Sequence, residues 1–574
     1  MTHPFRVWAP AARSVEIQLA GRRHVMAPQE RGWSAADIAV RADDTYAFVL
    51  DGGDPLPDPR SPHQPHGVHG PSQLVDHAAH AWSDHGWRGF PLADAVIYEL
   101  HIGTFTGEGT FDAAIERLDH LTALGVNAVE LMPVAEFPGT RGWGYDGVDL
   151  FAVHHAYGGP AGLHRFVDAC HARGLAVVMD VVYNHVGPEG NYLGSFGPYF
   201  TARYGTPWGD AVNYDGAGSD TVRAFVIENV EMWLREYHCD GLRLDAVHAI
   251  VDTSATHLLE AIARRVDELG DELQRTLWVI AESDLNDPRL VCGRELGGYG
   301  VHAQWSDDFH HALHAALTGE RNGYYADFGS VEDIAVALRA AFVYRGQYSR
   351  FRDRRHGRDI GDLPLTRFLG YAQNHDQVGN RAAGDRLAHL VSAGRARIAA
   401  ALVLLGPFVP LVFQGEEWAA SSPFQYFSDL GDRWLRRSVS EGRRSEFASF
   451  GWRPEDVPDP QSLATFERSK LDWNELGTPE HASMLHWYSE LVALRRATPA
   501  LRNGDASEMR TRTDAERGLL VYVNAGIVVA CNLGSDALVV GEATGCERLM
   551  CSADSSDTSE VPPDGVCVWR NGTR

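Results

Sequence analysis

At 574 residues and 63.1 kDa the chain exceeds what one ordinary core organises, so two or three folded units are expected. Hydrophobic residues make up 44% and charged residues 22%, a globular balance that excludes a disordered or collagen-like chain. With 77 acidic against 51 basic residues the formal charge is -26, which repels phosphate and argues against nucleic acid or an anionic membrane as partner.

The opening MTHPFRVWAP lacks the basic-then-apolar run of a secretory signal. The longest apolar stretch, 398–413, is broken by Gly406, Pro407 and Pro410 and falls short of the roughly 20 residues of a membrane span. A cytoplasmic protein without a membrane anchor is expected. The cysteines form no C-x-x-C pair and are odd in number, so free thiols are expected throughout. Lys470 is the single lysine and receives no functional reading.

Residues 1–90 read as a small β-sandwich followed by a connector. Alternating apolar runs occur at 5–8, 15–19 and 46–50, each bounded by Gly, Pro or Asp. The connector 58–72 (DPRSPHQPHGVHGPS) carries four prolines, which forbid regular structure, and its histidines fit no metal-ligand spacing. From residue 91 to 497 short β-rich runs alternate with amphipathic stretches such as 111–124 and 221–237. The runs fall at 95–102, 128–134, 176–182, 241–246, 277–281, 302–305, 367–373 and 409–413. Eight of them predict a (β/α)8 TIM barrel, with large insertions after the third (187–220) and the sixth (309–366). The tail 498–574 returns to short β runs at 518–523, 527–532 and 565–570, which predicts a C-terminal β-sandwich domain.

In such a barrel the catalytic groups sit where strands end. The third run leads into Tyr183-Asn184-His185, the fourth ends in Asp245, the fifth in Glu282, and the seventh in Asn374-His375-Asp376. Adjacent strands lie about 4.8 Å apart, so carboxyls at the tips of the fourth and fifth can approach the roughly 5–5.5 Å separation of a retaining glycosidase. Arg243, two residues before Asp245, shares its face and keeps it ionised. The charge of Asp245 in turn favours a protonated Glu282, as a general acid requires.

These residues carry a family resemblance. DVVYNH (180–185), GLRLDAVH (241–248), AES (281–283) and QNHDQ (373–377) resemble, in order, the four sequence regions of the α-amylase superfamily. The resemblance implies Asp245 as nucleophile, Glu282 as general acid/base and Asp376 as transition-state stabiliser, with Arg243, His185 and His375 holding the sugar and Tyr145 stacking on it. Within the superfamily, the segments 64–72, 99–111, 184–193, 281–291, 303–314, 373–387 and 415–429 are similar to those of the maltooligosyltrehalose trehalohydrolases, one departure being Leu430 where a histidine is expected. That family implies a neutral maltooligosaccharide substrate ending in trehalose, cut at the α-1,4 bond next to the trehalose, and a functional pairing with maltooligosyltrehalose synthase. The polar cluster after the sixth run and the flanking loops add Asp307, Asp308, His310, His311, His248, Gln377 and Asn380 as expected substrate contacts. Asn184 and Glu189 fall short of the six to eight oxygens calcium takes, so neither metal nor cofactor is expected. The competing readings are a glycogen branching or debranching enzyme of the same superfamily and a non-catalytic glucan-binding barrel; three carboxylates in place disfavour the latter.

Overall fold

The computed structural model describes every residue except 1, 42–43, 449–451, 554–556 and 572–574. Eight parallel strands close into a barrel: β1 (Ile97–Leu100), β2 (Ala128–Leu131), β3 (Ala176–Val181), β4 (Gly241–Leu244), β5 (Trp278–Ala281), β6 (Ala303–Trp305), β7 (Phe368–Tyr371) and β8 (Val409–Phe413), β8 returning to pair with β1. Each lies within one of the eight apolar runs. The strands are buried on both faces, which is why they read as short, nearly continuous apolar segments without clean alternation.

Strand parity decides what fills the barrel. Ala95, Ile97, Ala128, Ala176, Val178, Trp278, Ile280, Ala303, Leu369, Val409 and Leu411 pack as an apolar lower layer. Two residues further along the same inward rows the side chains turn polar: Glu99 on β1, Glu130 on β2, Asp180 on β3, Arg243 on β4. One step higher stand Asp245, Glu282 and Asp307, just past their strands. Helices wrap the outside. In Leu258–Leu273, for example, Leu258, Leu259, Ile262, Val266 and Leu269 face the barrel, while the Arg265 guanidinium pairs with Glu231 and Glu272 on the outer side.

The insertion after β3 folds into a hairpin, Phe200–Thr206 with Gly209–Val212. The one after β6 contains the helices Asp307–Thr318 and Val331–Ala340 and the hairpin Arg345–Ser349 with Arg354–Gly357. The N-terminal part forms two antiparallel sheets. Thr2–Trp8 pairs with Trp33–Ala39 in one, and Val15–Leu19 with Arg22–Val25 and Thr45–Leu50 in the other. They brace the first insertion: Trp8 packs edge-on against Tyr199, and Phe48 against Phe196. The connector stays irregular until Ser72–Gln73 joins the strand Thr45–Leu50. At the opposite face of the barrel the segment leading from the connector to β1 is fastened by His171, whose ring bonds to Asp84 (2.8 Å) and Asp240 (3.0 Å).

A five-stranded antiparallel sheet lies in the C-terminal part, ordered Arg510–Asp514, Leu519–Asn524, Ile527–Asn532, Gly565–Arg570, Glu547–Cys551. Its register overturns the expectation of free thiols throughout. Cys551 and Cys567 stand directly opposite each other on neighbouring strands and are joined as a disulfide, while Cys170, Cys239, Cys292, Cys531 and Cys546 are free. Partners brought together by sheet pairing leave no spacing signature in the sequence. Among the described residues no helix is long and apolar enough to cross a membrane.

Candidate active site

Below the site lies a layer of buried charge. Glu130 stands in register with Glu99, is 1% exposed, and has no hydrogen-bond partner at either carboxyl oxygen among the described residues. Burial, reinforced by Glu99 and Asp180, pushes its pKa well up, so it sits there as a neutral acid. Glu99 bonds to His375: its carboxyl group accepts from the His375 backbone N–H (3.0 Å) and from Nδ1 of the ring (2.5 Å). Burial alone would depress His375, but Glu99 and then Asp376 outweigh it and raise the imidazole to about 9. His375 is therefore an imidazolium at neutral pH. Its Nε2 donates to the Tyr145 hydroxyl (2.7 Å), which donates to Asp180 (2.6 Å).

Arg243 continues the chain upward. Its Nη1 bonds to Asp180 (2.9 Å) and to Asp245 Oδ1 (2.8 Å), Nη2 lies 3.6 Å from Glu282 Oε2, and the guanidinium rests on the Trp305 ring at 4.3 Å. One buried cation thus serves the two carboxyls at the tips of β4 and β5. It does so unequally. Burial disfavours the Asp245 anion, but Arg243, His185 and the Asn184 amide, which bonds Asp245 Oδ2 at 2.7 Å, hold its pKa below the ordinary carboxylate value. Glu282 is only grazed by Arg243 and accepts a single backbone N–H, from Ala246 at 2.5 Å. Burial, with Asp245, Asp307 and Asp376 nearby, drives its pKa well up. The pair is split into an anion and a neutral acid.

Around these two the side chains expected in the site converge. Tyr145 follows Gly144, whose φ of +98° and contact with the Pro133 carbonyl admit no side chain, and its ring stacks on His375. His185 bonds through Nε2 to the Tyr145 carbonyl (3.0 Å) and through Nδ1 to Asn184. Asp376 opens the helix His375–Gly379, capped by Asn374, and lies 3.6 Å from the His375 ring. Asn380 donates to Asp376 (3.1 Å), and Gln377 uses its Oε1 to cap the Asn374 N–H. His248 is exposed beside Asp284. Asp307 accepts from the Tyr371 hydroxyl and is raised to about 7, mainly by burial.

Two expected substrate contacts need correction. Asp308 is buried, and its Oδ2 is occupied by Asn286 Nδ2 and by the backbone N–H groups of Val343 and Tyr344, so it pins the insertion after β6. His310 is fully buried and spends both ring nitrogens on the Ala372 carbonyl and the Tyr325 hydroxyl. His311 stacks on Tyr324 and is kept neutral by burial, its pKa down to about 3. Four groups to which the sequence assigned no catalytic or substrate role belong to the site. Asn184 orients Asp245. Glu99 and Asp180 set the charges of His375 and Arg243. Trp208, half-exposed on the hairpin after β3, lies flat against the His185 ring at 4.4 Å. Lone acids at inward positions of apolar strands were the available signal for Glu99 and Asp180.

Asn184 is spent on Asp245, and Glu189 on the backbone N–H groups of Gly431 and Asp432. Away from the site, Glu136, His154 and His155 come close enough to share an ion. His155 already donates to Glu136 (2.6 Å), and His154 Nδ1 accepts from the Ala156 N–H.

The alpha-amylase catalytic-domain family profile matches residues 83–196. A malto-oligosyltrehalose trehalohydrolase of Arthrobacter ramosus is 52% identical over 91% of both chains, and one of Rhizobium sp. 48% identical over 99% of this chain and 97% of its own. A crystal structure from Salmonella typhimurium, described as an alpha amylase, superposes with a TM-score of 0.92 at 39% identity, covering 99% of this chain and 97% of that one.

Proposed function

Because the chain belongs to the malto-oligosyltrehalose trehalohydrolase family, we propose that it is a retaining glycosidase that frees trehalose from maltooligosyltrehalose by hydrolysing the adjoining α-1,4 bond. The observation that carries the mechanism is the unequal sharing of Arg243 between Asp245 and Glu282. Asp245, held ionised, attacks the anomeric carbon of the sugar on the stem side while Glu282 gives its proton to the departing trehalose oxygen. The C–O bond to trehalose breaks as the ester bond to Asp245 forms. With Asp245 esterified, the charge that raised Glu282 is gone. The Glu282 carboxylate then takes a proton from water, the water oxygen adds to the anomeric carbon, and Asp245 leaves as the carboxylate.

Charge develops on the sugar ring in the transition state, and Asp376 is assigned to stabilise it. The imidazolium of His375, 3.6 Å away, holds that side chain in place. Trp208, Tyr145 and His185 offer ring faces and hydrogen bonds suited to an uncharged sugar. Asp307, His311, His248, Gln377 and Asn380 are assigned to the hydroxyl groups beyond the scissile bond. On this reading the enzyme works in the cytoplasm on chains capped by the synthase of the same pathway, as the family resemblance suggests.

The test is product analysis on a trehalose-ended maltooligosaccharide. The wild type should release free trehalose and first form the α-anomer of the new reducing end, while Asp245→Asn should lose at least about 10^4-fold in kcat. Cleavage of amylopectin branch points in place of trehalose release would instead establish the debranching alternative.

A further inference from the structure

Asp376 opens the short helix His375–Gly379, so its placement depends also on what holds the other end of that helix. The last carbonyls of a helix have no partner within it. Here the Gly379 carbonyl accepts from Arg443 Nη2 (2.5 Å), and Gly379 itself lies so close to the Trp143 ring that no side chain would fit. Arg443 comes from the helix Arg433–Ala448, which follows the loop leaving β8. Its other terminal nitrogen, Nη1, donates to Asn380 Oδ1 (3.2 Å), and Asn380 Nδ2 donates to Asp376 Oδ1 (3.1 Å). The Arg443 side chain is only 11% exposed; its guanidinium lies over the Phe447 ring at 4.6 Å and the Tyr426 ring at 5.2 Å, with Glu446 at 3.2 Å.

We propose that Arg443 is a positioning residue for the hydrolysis, fixing the amide of Asn380 and through it the carboxyl group of Asp376, a reading that rests on the function proposed above. The argument turns on donors and acceptors. A guanidinium only donates, so the group that meets Nη1 must be an oxygen. Asn380 therefore turns Oδ1 toward Arg443, which leaves its NH2 for Asp376. Without Arg443 the amide is free to turn over, and its oxygen would then face the Asp376 oxygen, acceptor against acceptor. The Asp376 side chain is 40% exposed and needs such a hold, because charge developing on a sugar is stabilised best by a group already in place. Its Oδ1, 3.6 Å from the His375 ring, is thereby held from two residues, leaving Oδ2 for the sugar. The second Asn380 amide hydrogen is the one available to a substrate hydroxyl. Burying a guanidinium costs hydration, and the bonds that offset this cost here lead to Asp376.

The experiment measures kcat and KM for trehalose release by wild type, Arg443→Met, Arg443→Lys, Asn380→Ala and the double variant Arg443→Met/Asn380→Ala. Thermal unfolding checks that each is folded at the assay temperature. Arg443→Met should lower kcat about tenfold, the size of one hydrogen bond to a charged group, and leave KM within about twofold. Asn380→Ala should do the same, and the double variant should lose no more than either alone, because both act through one contact. Arg443→Lys keeps a donor for Oδ1 and should recover part of the loss; if Arg443→Met does not fold, Arg443→Lys and Asn380→Ala carry the test. Arg444→Met, one residue along the helix, removes an exposed pair with Asp459 (3.7 Å) and should leave kcat unchanged. Losses that multiply in the double variant, a higher KM without a lower kcat, unchanged kinetics, or an equal loss at Arg444 would overturn the positioning role while leaving the function standing. A wild type that frees no trehalose would overturn the function and the positioning role with it.

Discussion

Replacing Glu99 with glutamine removes one charge and almost no volume from beneath the site. In the native barrel the Glu99 carboxylate holds both the backbone and the ring of His375, and burial is overcome to bring that imidazole from 6.5 to about 9. At about 1.4 kcal/mol per tenfold change in protonation, the imidazolium is favoured by about 3 kcal/mol over its state in water. Without Glu99, burial prevails and His375 is neutral at pH 7. The positive charge 3.6 Å from Asp376 is then gone. If the imidazolium matters in the transition state, Glu99→Gln loses about 100-fold in kcat/KM at neutral pH. It should regain part of that loss as the pH is lowered, because acid restores the proton. Stability must follow the same group. A raised folded-state pKa stabilises fully below about 6.5, and this contribution is lost as the pH rises through about 9. Thermal unfolding of the wild type should therefore weaken across that window, and Glu99→Gln should flatten the dependence. A variant with native kcat/KM and an unchanged pH profile would refute the reasoning.

Gly144→Ala places a Cβ about on top of the Pro133 carbonyl, 2.1 Å away, at a φ that side chains avoid. A cost of about 1–3 kcal/mol should be met by shifting Tyr145, seen as a higher KM with lower kcat; kinetics identical to wild type would show that the turn is not what sets the ring. His171→Leu leaves Asp84 and Asp240 without their shared imidazole, and a loss of about 3 kcal/mol is expected. Calorimetry should show Tm lowered by several degrees at pH 7, and a shift too small to measure would mean that His238 and Arg275 already satisfy both carboxylates.

Asp245 and Glu282 were legible because a strand end is a readable place: the apolar run stops and an acid follows. The eight strands were legible for the same reason. The cluster Asp307-Asp308-Phe309-His310-His311 was not, since it reads as one polar patch although it opens a helix. The helix it opens is buried almost all round, so Asp307 keeps some exposure while Asp308 and His310 are taken up in the packing. Glu99 and Glu130 are hidden differently, as single acids inside apolar strands, and only parity with Ile97 and Ala128 marks them as facing the barrel axis. Trp208 comes from a hairpin whose stacking on His185 no periodicity announces.

Arg243 is claimed by two anions at once. On the proposed mechanism, when Asp245 passes from carboxylate to ester, Asp180 still bonds the guanidinium, so no unpaired cation is left under the sugar at the moment water must attack. The floor of the barrel stays electrically quiet through both halves of the cycle. On that mechanism, the ion pair between Arg243 and Asp180 serves both halves of the cycle, and a water molecule takes the place where trehalose has departed.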